Sequence, residues 1–204
     1  MDAQTIERAK DILAQDNKLI SKFWQDKYKA EAHKNWDKFY KRNTTNFFRD
    51  RHWTEREFED LKKANDNNQP AVLLEIGCGV GNFVWPLLDS NPNLHANMCD
   101  FSPRAIDFVK VLKPGGKILF RDYALYDAAQ LRFKPGHKLE EGLYVRQDGT
   151  LAYYFTKEFL NELFVAHGGL VELDNDYVRR QTTNAKLNIS LDRLFLQAKF
   201  QKPE

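Results

Sequence analysis

Cysteine is scarce: Cys78 and Cys99 are the two among 204 residues. Two thiols build neither a disulfide framework nor a C-x-x-C metal knuckle, so no stapled secreted fold and no zinc or other metal site is expected. They suit a reducing compartment, and the cytoplasm, with the nucleus as the alternative, is the expected location. A surplus of one charge is also lacking. The 31 Lys and Arg against 29 Asp and Glu leave a net charge of +2, which names no partner by itself. Long apolar runs are missing too. The most apolar stretch, 71–88, is broken by Glu75 and by Gly77, Gly79 and Gly81, so no membrane span is expected. Residues 1–18 mix acidic and basic side chains without an apolar segment, so neither a secretory nor a transit leader is expected.

What is there divides near residue 70. Residues 1–69 read as a helical extension rich in aromatic and basic residues. Ile6, Ile12, Leu13, Leu19, Ile20, Phe23 and Trp24 recur at loosely helical spacing, which predicts one or two amphipathic helices before residue 35. Trp36, Phe39, Tyr40, Phe47, Phe48 and Trp53 follow, interleaved with Lys41, Arg42, Arg49, Arg51 and Arg56. A polar linker, 64–70, precedes a core domain over 70–204.

The core domain has an alternating pattern. Strands are predicted over 71–76, 94–99 and 117–121, with helices over 82–88 and about 103–112. Asp148-Gly149 between two apolar runs predicts a hairpin. Thr156 is expected to cap a helix that Gly168-Gly169 closes, and two late strands follow near 170–179 and 191–200. The expected class is an α/β open sheet with a mostly parallel centre.

The sharpest motif is Leu74-Glu75-Ile76-Gly77-Cys78-Gly79-Val80-Gly81-Asn82. A strand ends, glycines turn the chain, and a helix begins. Glycine lets the backbone approach a ligand with no Cβ in the way. Asp100 ends the next strand, where a carboxylate can accept both ribose hydroxyls of an adenosine-containing cofactor. A dinucleotide loop has the spacing G-x-G-x-x-G and takes a pyrophosphate. Here the spacing is G-x-G-x-G, with Glu75 two positions ahead. An acidic neighbour fits the cationic sulfonium and ammonium of S-adenosyl-L-methionine (SAM) better than a pyrophosphate, so SAM is the expected cofactor.

These motifs resemble those of the tRNA N3-methylcytidine methyltransferases. The resemblance runs through residues 32–40, Asn46-Phe47-Phe48-Arg49-Asp50-Arg51-His52-Trp53, the glycine loop, 99–106, 112–116, 119–123, 130–133 and Tyr144-Val145-Arg146-Gln147-Asp148-Gly149-Thr150. It implies a SAM-dependent, Rossmann-like fold and methylation of N3 of a cytidine at the start of the tRNA anticodon loop. The serine-tRNA branch looks closest, which implies seryl-tRNA synthetase as a partner. By the same resemblance Trp36, Tyr40, Glu75, Gly77, Gly79, Gly81 and Asp100 hold SAM. Phe47, Arg49, Arg51, His52, Trp53, Arg121 and Arg146 then lie toward the RNA. Aromatics interleaved with Arg agree with that, since unpaired bases stack while cations meet phosphates. Phe39 is expected to pack in the core, Cys78 to act as a small loop residue, and no general base is named.

One departure from the family pattern is large. Between Lys110 and Val111 two strand–helix units are missing, on the order of 50–60 residues at about 30 per unit. The third core strand, 117–121, is then expected to move in beside 71–76. Two other outcomes stay open at this point. One is a non-catalytic tRNA- or synthetase-binding protein. The other, disfavoured by the glycine spacing, is a nicotinamide-dependent oxidoreductase.

Overall fold

In the computed structural model, apolar and polar side chains alternate along a late strand, β8 (Ile189–Gln201). It buries Leu194, Leu196, Ala198 and Phe200 on one face. Residues 3–16, 18–43, 48–66, 70–91, 93–99, 112–184 and 189–204 are described. The chain divides into two units, Met1–Trp36 with Leu112–Glu204, and Asp37–Val111.

In the first unit β8 is the central strand. It pairs antiparallel with β3 (Lys117–Tyr123) on one side and β7 (Val171–Asn184) on the other. A second sheet is the meander of β4 (Lys138–Glu140), β5 (Leu143–Val145) and β6 (Leu151–Tyr153). The predicted hairpin is β5–β6, with Leu143 opposite Tyr153 and Val145 opposite Leu151. The Asp148 carboxylate accepts from the Thr150 amide (3.0 Å) and hydroxyl (2.7 Å), which fixes the turn. An aromatic group, Tyr123, Phe133, Tyr144 and Tyr154, packs with Ala152 on the meander.

Helix α1 (Ala3–Gln15) and helix α2 (Lys22–Ala30) join this unit. The Ile20 amide donates to the Lys138 carbonyl at 3.1 Å, and Lys29 pairs with Glu140. The Thr156 hydroxyl accepts from the Phe159 amide at 3.1 Å and caps the helix Lys157–Asn161, as predicted. That helix continues as a π-helical stretch, Glu162–His167, before Gly168.

The buried polar centre of the first unit is Asp127. Its carboxylate receives the Arg193 guanidinium at 3.0–3.1 Å, the Leu194 amide at 2.7 Å and the Ala129 amide at 2.8 Å. Arg193 also lies 4.8 Å over the Tyr123 ring. The residues 124–133 that follow β3 are thereby fastened to β8.

The second unit holds helix α4 (Thr54–Glu57), helix α5 (Glu59–Asp66), β1 (Ala71–Ile76), helix α6 (Val84–Ser90) and β2 (Leu94–Cys99). Helix α3 (Ala32–Asn43) contains the division between the units. β1 and β2 pair in parallel, Ala71 opposite Leu94 through Ile76 opposite Cys99. Phe39, Phe58, Leu61, Val84, Leu87 and Leu94 are buried. Helix α6 begins two residues later than the sequence suggests. Pro86 falls in its first turn, where an amide has no helical partner to lose.

Two expectations change. Among the described residues the strand at 117 does not pair with β1: β1 pairs with β2, and β3 pairs with β8 in a separate sheet. β8 offers β3 a seven-residue antiparallel register, with Ile118 opposite Phe200 and Phe120 opposite Ala198. Pairing there joins β3 to a buried strand. The second change is length, since β7 runs on to Asn184 and β8 starts at Ile189. The helix expected near 103–112 lies outside the described residues.

Two outcomes are expected. Asp127→Ala leaves a half-buried guanidinium and two amides without their acceptor, and should cost about 3 kcal/mol or more. The melting midpoint should fall by roughly 5–10 °C in a chain of this size, whereas Glu7→Ala, which removes an exposed pair with Lys10, should leave the melt unchanged. The second outcome concerns alkali. Burial pushes the Tyr144, Tyr153, Tyr154 and Tyr177 hydroxyls above the ordinary phenol range. Their folded values exceed the unfolded value of about 10, so their contribution is complete below that pH. It is lost as pH climbs through the folded values. Urea midpoints should be flat up to roughly pH 9 and fall beyond about pH 10.

Candidate functional site: the glycine loop after β1

The turn from β1 into α6 uses left-handed backbone three times, at Gly77 (φ 78°), Gly79 (φ 52°) and Gly81 (φ 85°). L-residues with a Cβ rarely adopt these values. The three positions differ in what surrounds them. A Cβ on Gly77 would meet nothing within 4 Å, so the backbone there faces open space. A Cβ on Gly79 would strike the Tyr40 hydroxyl, and one on Gly81 would strike the Trp85 indole nitrogen.

Hydrogen bonds hold the turn. The Gly81 amide donates to the Cys78 carbonyl at 2.8 Å, and the Trp85 amide to the Gly81 carbonyl at 3.1 Å. The Trp85 indole N–H donates to the Val80 carbonyl at 3.1 Å. Glu75 lies half-buried one residue before the strand ends. Cys78 is half-buried, with its Sγ 3.7 Å from the Gly79 carbonyl oxygen.

The aromatic–basic segment is tied to the same loop. The Asn82 side-chain amide donates to the Phe48 carbonyl (3.3 Å) and the Asp50 carboxylate (3.0 Å). The Arg51 amide donates to the Asn82 carbonyl at 2.8 Å. Arg49, Arg51 and His52 carry exposed side chains, and Trp53 is half-buried at the start of α4. One unit therefore brings together Tyr40, Gly77, Gly79, Gly81 and the segment from Phe48 to Trp53. Asn82 and Trp85 were not singled out from sequence. The signal was available for Asn82, a polar residue straight after the last loop glycine, where the chain enters a helix.

The remaining predicted residues fall in the first unit or outside the described residues. The Trp36 ring lies 5.8 Å from the Arg146 guanidinium. Arg146 also donates to the Leu151 carbonyl (2.8 Å) and the Thr150 hydroxyl (3.3 Å), across its own hairpin. Asn35 donates to the Gly149 carbonyl at 3.1 Å. Arg121 donates to Gln197 at 2.8 Å and lies 5.1 Å from the Phe195 ring. A hollow of about 300 Å³ in this unit is lined by Trp24, Tyr28, His137 and Arg146 among others. Asp100 and Phe47 lie outside the described residues. Among the described residues no His, Cys, Asp and Glu cluster could hold a metal ion, and no helix is long and apolar enough to cross a membrane.

No family model matches the chain. Individual relatives do. The tRNA N(3)-cytidine methyltransferase METTL6 of Mus musculus is 45% identical over 249 residues, spanning 94% of this chain and 88% of that protein. The tRNA N(3)-methylcytidine methyltransferase trm141 of Schizosaccharomyces pombe is 39% identical over 244 residues, spanning 90% of this chain and 97% of that protein. The crystal structure of the N-methyltransferase NodS from Bradyrhizobium japonicum, solved with S-adenosyl-l-homocysteine, overlaps at a TM-score of 0.44 and 17% identity. It spans 83% of this chain and 100% of that one, a likeness that carries no argument. The mouse alignment is 249 positions long, whereas 94% of 204 residues is about 192, so about 57 positions of that relative face a gap in this chain.

Gly79→Ala should destabilise the second unit twice over, through the left-handed backbone, roughly 1–2 kcal/mol, and through the collision with Tyr40. Adding Tyr40→Phe should restore part of the loss, and only the collision part, when melting midpoints of the single and double variants are compared. Asn82→Ala should speed amide exchange across residues 48–53, read by hydrogen-exchange mass spectrometry.

Proposed function

The chain belongs to the tRNA N(3)-cytidine methyltransferase family, and from that membership we propose that it methylates N3 of a cytidine in the anticodon loop of a tRNA. The observation that carries the reading is 45% identity over 94% of the chain to a relative of that name. The methyl donor is SAM.

The residues after β1 fit such a cofactor. Gly77 leaves its backbone facing open space, and Glu75 supplies a carboxylate beside the turn, suited to a cationic ligand. Bound SAM supplies an electrophilic methyl on a positively charged sulfur. In this reading Gly77, Gly79 and Gly81 let the main chain approach the cofactor, while Glu75 and Asp100 meet its polar groups. Tyr40, whose hydroxyl stands against Gly79, closes one side of the loop, and Trp36 is assigned to the cofactor by the family resemblance.

The chemistry asks little of a base. Neutral cytosine carries a lone pair on N3, and methyl transfer to it requires no proton removal. The chain's contribution is to place that nitrogen in line with the methyl and to exclude water, a matter of proximity and orientation. Phe47 and Trp53 suit stacking on an unpaired base, and Arg49, Arg51 and His52 suit contact with phosphates. Arg121 and Arg146, in the first unit, are assigned to the RNA by the family resemblance. Serine tRNA is the proposed substrate, with seryl-tRNA synthetase as the proposed partner.

The test combines binding with turnover. S-adenosylhomocysteine at 100 times its dissociation constant should stabilise the chain by about 2.7 kcal/mol. Incubation with SAM and unmodified serine tRNA should produce 3-methylcytidine, read by nucleoside mass spectrometry, more than with other tRNAs. Stabilisation without 3-methylcytidine on any tRNA, with or without the synthetase, would mean a non-catalytic binding protein.

A further inference from the structure

β1 is short of one neighbour. Among the described residues it pairs with β2 alone, in a chain that lacks about 57 positions present in its mouse relative. Val72, Leu74 and Ile76 are 68%, 37% and 45% exposed. The Ala71 amide donates toward β2, to the Asn93 carbonyl. Backbone groups alternate in direction along a strand, so Ala71, Leu73 and Glu75 serve β2. The N–H and C=O of Val72, Leu74 and Ile76 then point to the other edge. Side chains alternate with the same period, so these three residues also share the exposed face.

We propose that this edge pairs antiparallel with the same edge of a second copy, joining two β1–β2 pairs into one continuous sheet. The strand is self-complementary in the register that this geometry demands. Side chains of one face must meet their own kind across the seam, and a two-fold axis at Leu74 is the register that pairs all three residues. Leu74 then exchanges both hydrogen bonds with Leu74 of the second copy, and Val72 does so with Ile76 of the second copy. Every outward backbone group of these three residues is satisfied, and the exposed face becomes an unbroken ladder of Val, Leu and Ile. Glu75 falls opposite Leu73 of the second copy, so no like charges meet. β1 carries no Lys, Arg or Pro within Ala71–Ile76, and its one charge, Glu75, lies on the opposite face. The antiparallel arrangement also sends the two glycine loops to opposite ends of the joined sheet.

Sedimentation velocity of the full chain over a hundredfold concentration range tests this. The expected result is a concentration-dependent dimer. Val72→Pro removes an outward N–H and leaves the β1–β2 bonds in place, and Leu74→Lys sets two cations face to face on the axis. Each should weaken dimerisation at least tenfold while the thermal melt stays cooperative. If one variant loses its cooperative melt, the other decides. A wild-type chain that stays monomeric overturns the proposal. So does self-association that a folded variant leaves unchanged, or assembly that runs on past the dimer.

Discussion

Between Ile76 and Val84 the chain must reverse from a strand into a helix through left-handed backbone, and the rest of the second unit is arranged around that turn. Gly79 and Gly81 are confined on both sides: their φ values exclude an ordinary residue, and Tyr40 and Trp85 fill the space a side chain would need. Gly77 is confined only by its φ, because its open side faces solvent. The same loop offers Asn82 to the segment carrying Phe48, Arg49, Asp50 and Arg51. The glycine loop and the basic–aromatic segment are thus fastened at one residue, so displacement of either should be felt by the other.

The first unit rests on a different device. Asp127 is fully buried and gathers a guanidinium and two amides. Three arginines of this unit have distinct employments. Arg193 is bound to Asp127, Arg146 spans its own hairpin, and Arg121 meets Gln197 and Phe195. Arg49 and Arg51, by contrast, keep exposed side chains beside the glycine loop. An arginine already satisfied within the fold positions aromatic neighbours first and reaches a phosphate only with what remains of its donors.

What could be read in advance was whatever depends on a few adjacent residues. The Asp148-Gly149 turn, the Thr156 cap and the strands at 71–76 and 94–99 each carry their signal within a handful of positions, and each is found where it was expected. The glycine loop was legible for the same reason. Strand partnership was not. Which strand β3 joins depends on β8, more than 70 residues later in the chain. Asn82 escaped notice because its role is defined by carbonyl and carboxylate groups some 30 residues earlier. The Arg146 hydrogen bonds were hidden for the opposite reason: a basic residue in a hairpin looks the same in sequence whether it faces its own backbone or a ligand.

The central claim is that a chain lacking about 57 positions of its relative still presents a working cofactor loop at the end of β1. Hydrogen-exchange mass spectrometry of the full chain, with and without S-adenosylhomocysteine, addresses that claim most directly. The account predicts cooperative protection of β1 in the free chain. It also predicts that ligand slows exchange at residues 75–82 and, through Asn82, at 48–53. Ligand-independent exchange at both segments, or a β1 that exchanges at the rate of an unfolded chain, would contradict it.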